Sequence, residues 1–205
     1  MVHGKVGALD RDGTTKKTEI LKGAMQEFLK HGYAATSMDR VTEAAGVSKA
    51  TIYSHFKDKE GLFGALVQWM AEEKVKQVFG AEPLQGDPRI VLRQLATTVL
   101  KQMACDDEHP QLVRLVIAES GRFPELAQLF IRHQFKPVLE RLSRYLADHP
   151  ELNLPDPEAT ARFMIGGIVH YMLTQKIMHG QDIVPMDGDR LIDSMMHLVI
   201  GCAKF

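Results

Sequence analysis

The chain has 205 residues, of which 45% are hydrophobic and 25% charged, with a formal net charge of −1. This is the composition of a globular protein with a core, and it excludes a disordered or fibrous chain. Aromatics at 7% and eleven methionines favour helices packed on helices and argue against an all-β fold. Every apolar run is broken well short of the roughly 18 residues that a membrane span needs. Residues 1–14 lack the apolar stretch and small-residue cleavage site of a leader. Cys105 and Cys202 are too few for a disulfide scaffold and lack zinc-site spacing, so both are expected as buried thiols of a cytoplasmic protein.

The small net charge hides a division along the chain. Residues 1–64 hold ten Lys and Arg against eight Asp and Glu, and the remainder holds fifteen against eighteen. Within the first part Lys49, Lys57 and Lys59 crowd together with Tyr53 and His55, a basic stretch with interleaved rings of the kind that meets nucleic acid.

Taken in order, the first apolar stripe is Ile20, Leu21, Ala24, Met25, Phe28 and Leu29. It predicts a helix from Thr15 that stops at Gly32, a left-handed cap. Thr36, three residues before Asp39, is expected to cap a short second helix carrying Met38, Val41, Ala44 and Ala45, which Gly46 ends. Ser48 caps a third, from Lys49 to Phe56. A fourth starts at Asp58 and runs toward Gly80 with Leu62, Phe63, Leu66, Val67 and Met70 on its inner side. After Gly86-Asp87-Pro88 come Val91, Leu92, Leu95, Val99 and Met103, then Leu112, Leu115 and Val116, all at helical spacing. A helix from Pro124 should kink near His133 because of Pro137. The last two, about Asp156 to Gly180 and Gly188 to Lys204, are apolar on more than one face. The expected fold is all-α with about nine helices.

Two short helices joined through Gly46-Val47-Ser48 behind a supporting helix make a helix-turn-helix. Ala44, Ala45, Val47, Ile52 and Phe56 supply its internal contacts. Lys49, Thr51, Tyr53, Ser54 and His55 then face outward, where Lys and Tyr suit phosphate oxygens while Lys49, Thr51, Ser54 and His55 suit base edges, and Ser48 and Ala50 are also expected to meet DNA. A neutral packing role is the lesser alternative for His55. Lys59 is expected to clamp a further phosphate, with Thr36, Ser37 and the second helix's first amides forming another anion site.

Phe28-Leu29-Lys30-His31-Gly32-Tyr33-Ala34-Ala35-Thr36-Ser37-Met38, followed by Ala44-Ala45-Gly46-Val47-Ser48-Lys49-Ala50-Thr51-Ile52-Tyr53-Ser54-His55-Phe56-Lys57-Asp58-Lys59-Glu60-Gly61-Leu62-Phe63, resembles the DNA-binding domain of TetR-family transcriptional regulators. Ala50 stands where that family often has Gly. Glu119-Ser120-Gly121-Arg122-Phe123-Pro124-Glu125-Leu126-Ala127 is similar to the C-terminal domain of the AefR-like branch. The resemblance implies a flexible arm over 1–13, a DNA-binding domain over 14–74 with its helix-turn-helix at about 37–56, and a ligand-binding and dimerisation domain over 75–205. It also implies operator DNA, a small-molecule effector and a second copy of the chain as partners, with no membrane and no cofactor. The function it implies is a ligand-responsive regulator, most simply a repressor.

Expected effector contacts are Met103, Phe130, His133, Phe163, Met164 and His170, with plain core packing as the competing reading. Glu119 most simply pairs with Arg122. The expected dimer surface is Gly166, Gly167, Leu191, Met195, Leu198, Val199 and Cys202, because the last helix carries more apolar stripes than one core covers. Cys105-Asp106-Asp107-Glu108-His109 reads as a solvated acidic turn and no metal is expected. No nucleophile elbow, phosphate loop or nicotinamide fingerprint suggests an enzyme. Thiol sensing through Cys105 or Cys202 is the alternative way to regulate.

Overall fold

A computed structural model describes residues 16–80, 82–105 and 108–201, and no strand occurs among them. The chain divides into two units, residues 1–66 and 67–205. The division falls inside one helix, so the sequence boundary after residue 74 lies within that same helix.

The first unit holds α1 (Lys16–Ala35), α2 (Met38–Ala44), α3 (Lys49–His55) and the opening turns of α4 (Lys59–Phe79). α1 packs on α2, and α2 on α3. Ile20, Leu21, Ala24, Phe28, Val41, Ile52, Leu62 and Phe63 are all sealed from water. Phe28, Tyr33 and Phe63 form a three-ring contact with centroids 5.3–5.6 Å apart. Phe28 and Phe63 come from the apolar stripes that periodicity picks out, and Tyr33 lies just beyond the first of them. Gly23 lets α1 and α2 approach closely, since a Cβ there would lie 2.8 Å from the backbone nitrogen of Ala45. Gly32, at φ 77°, breaks α1 one turn before its end.

The second unit contains the rest of α4, then α5 (Pro88–Cys105), α6 (Glu108–Glu119), α7 (Pro124–Phe130), α8 (Lys136–Ala147), α9 (Pro157–Tyr171) and α10 (Gly188–Ile200). α7 and α8 are one rod interrupted by a π-turn over Ile131–Phe135, so the ten segments make nine rods. The π-turn is how the chain accommodates Pro137: a ring without an N–H is reached through one wide turn, and Lys136 N donates to Ile131 O. A second π-turn, Met172–Ile177, extends α9. α8 packs on α9 and α5 on α10, around Leu92, Leu142, Leu146, Ala161, Met164, Ile192, Met195 and Val199.

Side-chain bonds tie the α4–α5 connection to α8. Arg141 Nη2 donates to Glu82 O at 2.8 Å and its guanidinium lies over the Phe79 ring. Tyr145 Oη donates to Gly86 O at 3.0 Å. Two expectations need correction here. α6 begins at Glu108, so Glu108 and His109 are helical rather than part of a turn, while Asp106 and Asp107 lie outside the described residues. Cys105 is exposed at the end of α5 rather than buried; Cys202 lies outside the described residues.

Candidate functional site

The helix-turn-helix is built by local chemistry. Ser37 caps α2, its Oγ accepting from Arg40 N. Thr36, the expected cap, is one residue too early. It is only 2% exposed, and its hydroxyl donates to Gly32 O at 2.8 Å and lies 3.0 Å from Glu27 O, sealing the end of α1. Its side chain therefore does not face solvent. Gly46 at φ 64° makes the left-handed turn after α2, a conformation that costs other residues about 1–2 kcal/mol. Ser48 Oγ then accepts from Thr51 N at 3.1 Å and starts α3.

α3 turns Ile52 inward, with Phe56 just beyond it also buried. Lys49, Ala50, Tyr53 and Ser54 are exposed at spacings of one and four residues, a single stripe along the helix, with His55 exposed at its end and Ser48 at its start. Thr51 is half-buried. The hydroxyls on this face are partly occupied: Ser48 Oγ and Thr51 Oγ1 share a 2.8 Å bond, and Ser54 Oγ donates to Thr51 O. Lys49 Nζ lies 2.8 Å from Asp39 Oδ1 on α2, and this hydrogen bond raises the lysine above its ordinary pKa.

Lys59 departs from expectation. Its ammonium donates to Tyr33 O at 2.8 Å, Thr36 O at 3.0 Å and Ala34 O at 3.2 Å. It closes the carboxyl end of α1 at distances that fit charge-assisted hydrogen bonds. Sequence spacing could not show this, because the carbonyls lie 23 to 26 residues away.

The six expected effector contacts do not converge. Met164 belongs to the core; Phe163, 56% exposed, and His170 are on the outer side of α9; Met103, Phe130 and His133 are half-buried. An open depression lies elsewhere, lined by Leu146, His149, Asn153, Leu154 and Pro157. Sequence reasoning missed the polar groups beside the π-turns. Gln134 bonds His109 on α6 through its amide nitrogen, leaving Gln134 Oε1 buried without a partner. Gln175 Nε2 donates to Val184 O, and Arg114 Nη2 donates to Ile177 O. The Pro137 kink was the available signal for the first of these. Glu119 and Arg122 meet through the backbone, Arg122 N donating to Glu119 O. No group of three His, Cys, Asp or Glu is placed to hold a metal among the described residues.

The expected dimer surface is corrected in its register. Met195 and Val199, 4% and 2% exposed, are core residues of their own chain, and a Cβ on Gly167 would meet Met195 Sδ at 3.5 Å. Leu191 is half-buried. Leu198, 56% exposed, lies on the outer side of α10, as Phe163, Gly166 and Val169 do on α9.

Comparison with known proteins matches two separate segments of the chain. Residues 20–66 match the model for bacterial regulatory proteins of the tetR family, and residues 90–201 match the C-terminal domain of AefR-like transcriptional repressors. A transcriptional regulatory protein of Mycobacterium tuberculosis, RaaS, is 29% identical over 162 residues, 77% of this chain and 72% of its own. The regulator AcrR of Shigella flexneri is 29% identical over 54% of this chain and 52% of its own. Among solved structures, the flavonoid-responsive regulator FrrA is 28% identical with a TM-score of 0.74, covering 92% of this chain and 97% of its own.

Proposed function

The chain belongs to the TetR family of transcriptional regulators, and from that premise we propose that it is a repressor that binds duplex operator DNA as a two-fold dimer and is released by a small amphipathic effector. The observation that carries the DNA half is the exposed stripe Lys49, Ala50, Tyr53 and Ser54 on a helix whose other side is pinned by Ile52 and followed by buried Phe56. A rigid seven-residue helix with that face fits the major groove, Tyr53 serving a phosphate oxygen and Lys49 with His55 serving base edges or backbone. Repression is supported by relatives of that name, among them the repressor AcnR of Corynebacterium glutamicum, 46% identical over 55 residues.

The outward apolar side chains Phe163, Val169 and Leu198 support pairing of two copies through α9 and α10. Both helices are exposed there beside Gly166, where an added Cβ would meet nothing within the chain. Two-fold pairing then matches a near-palindromic operator with half-sites about 34–36 Å apart.

The effector reading is supported by the buried, unpartnered Gln134 oxygen in the π-turn, a polar group able to orient a small molecule, and by the flavonoid response of FrrA. An effector that releases the operator must by linkage bind the DNA-free form more tightly, typically by about 1–3 kcal/mol. The test combines selection of bound duplexes from a random library with a thermal-shift screen of aromatic, fatty acyl and cationic drug-like compounds. Enrichment of an inverted repeat, and a stabilising compound that dissociates it, is the expected result; a selection that returns no shared sequence contradicts the reading.

A further inference from the structure

The ion pair between Asp39 and Lys49 joins α2 to α3 across the turn at Gly46. Its side chains are 63% and 66% exposed, a setting in which an ion pair adds little to folding. Its position is the informative part. Lys49 opens the outward stripe of α3, so Asp39 places a carboxylate on the face that meets a polyanion. There it opposes phosphate contact wherever the protein lands on DNA.

An ammonium has three N–H donors and no acceptor. With one donor held at 2.8 Å by Asp39, the flexible stem of Lys49 is restricted and two donors remain for DNA. A solitary surface lysine meets phosphates as a mobile point charge. A lysine whose charge is partly offset gains less from phosphate, while its two remaining donors still match the N7 and O6 acceptors on the guanine edge. The neighbouring hydroxyls are less available for that task, since Ser48 and Thr51 share a bond and Ser54 donates to its own helix.

We propose that Asp39 is a specificity-determining positioning residue, holding Lys49 to read a guanine in each half-site and disfavouring phosphate contact at the same point. This rests on α3 being the helix that reads DNA. Asp39 discriminates by making wrong sites worse as well as by making the right one better, because non-specific binding is almost entirely electrostatic.

The experiment uses the full chain, the duplex selected by wild type, and a scrambled duplex of equal length, titrated across a salt series. Asp39→Asn should tighten scrambled-duplex binding and steepen its log–log salt slope by about one. Operator affinity should not rise in step, so the ratio of operator to scrambled affinity falls by about tenfold, the scale of one good base contact. Selection with Asp39→Asn should lose one guanine preference per half-site. In a Lys49→Met background, Asp39→Asn should leave the ratio unchanged, and Glu43→Gln, a carboxylate exposed on α2, should raise both affinities alike. An unchanged thermal midpoint for Asp39→Asn shows that the fold is intact. Equal gains on operator and scrambled duplex, with the same selected sequence, would overturn the proposal while leaving the DNA-reading role of α3 standing. Wild type that selects no duplex overturns both.

Discussion

The Lys59 ammonium donates to the backbone carbonyl of Tyr33 at 2.8 Å while lying 4.4 Å from the centre of the same residue's ring. One cation thereby closes the end of α1 and rests on the aromatic contact that Tyr33 makes with Phe28 and Phe63. Removing it leaves carbonyls at a helix end without their charged donor. Lys59→Ala should lower the stability of the first unit by about 1.5–3 kcal/mol, the range for hydrogen bonds to charged groups, whereas Lys49→Ala should leave stability nearly unchanged. Urea unfolding followed by circular dichroism distinguishes the two; equal stabilities would mean that the capping bonds carry no weight.

Gly23 sets the distance between α1 and α2. A Cβ at this position would meet Ala45 N, Cα and Cβ at 2.8–2.9 Å, and backbone cannot retreat as a side-chain tip can. Gly23→Ala should cost about 1–3 kcal/mol through overpacking and should weaken operator binding, because α2 carries the turn that orients α3. An unchanged urea midpoint would show that the two helices separate without cost.

Burial pushes the Tyr145 phenol up to about 12 from 10.0, with Asp87 and Glu151 adding to the shift. The sign follows from the charged form being the disfavoured one: below pH 10 the phenol is neutral in both folded and unfolded chains, and its contribution to stability is intact. As pH climbs from about 10 toward 12 the unfolded chain ionises first, and that contribution is lost. Titration by tyrosinate absorbance should show a late ionisation step, and Tyr145→Phe should remove it. The same variant loses the bond to Gly86 O, a cost of about 0.5–1.5 kcal/mol. Absence of a late step that Tyr145→Phe removes would contradict the burial.

For assembly, Leu198→Glu and Phe163→Glu should give folded monomers by sedimentation, since both side chains are exposed in the single chain. Met195→Glu and Val199→Glu should instead unfold the second unit, because they bury a charge in its core. Folded dimers of Leu198→Glu and Phe163→Glu would move the interface off this face.

The first unit was legible where its signals are local. Gly46 before Ser48 marks a left-handed turn followed by a cap, and Ile52 with Phe56 marks the inner side of α3. Thr36 and Ser37 are both capping residues, so pattern alone missed by one position, and the tertiary bonds of Thr36 to Glu27 and Gly32 decided it. Lys59 was misread because its partners are distant in sequence. In α10 several apolar stripes coexist, and periodicity does not say whether the partner of a stripe is the same chain. Burial of Met195 assigns its stripe to the chain's own core, whereas Leu198 is exposed in the single chain. Pro137 announced a distortion but not its form, and the π-turn that results brings Gln134 to His109, a contact between helices that periodicity does not encode.

Whether the stripe on α3 reads duplex DNA is decided by equilibrium titration of the selected duplex at several salt concentrations with wild type, Tyr53→Phe and Lys57→Ala. Log affinity should fall linearly with log salt, at about 0.9 per phosphate neutralised. Tyr53→Phe should weaken binding with an unchanged slope, and the exposed Lys57, once removed, should make the slope shallower by about one. Affinity independent of salt, or undiminished when Tyr53 and Lys57 are both replaced, would contradict it.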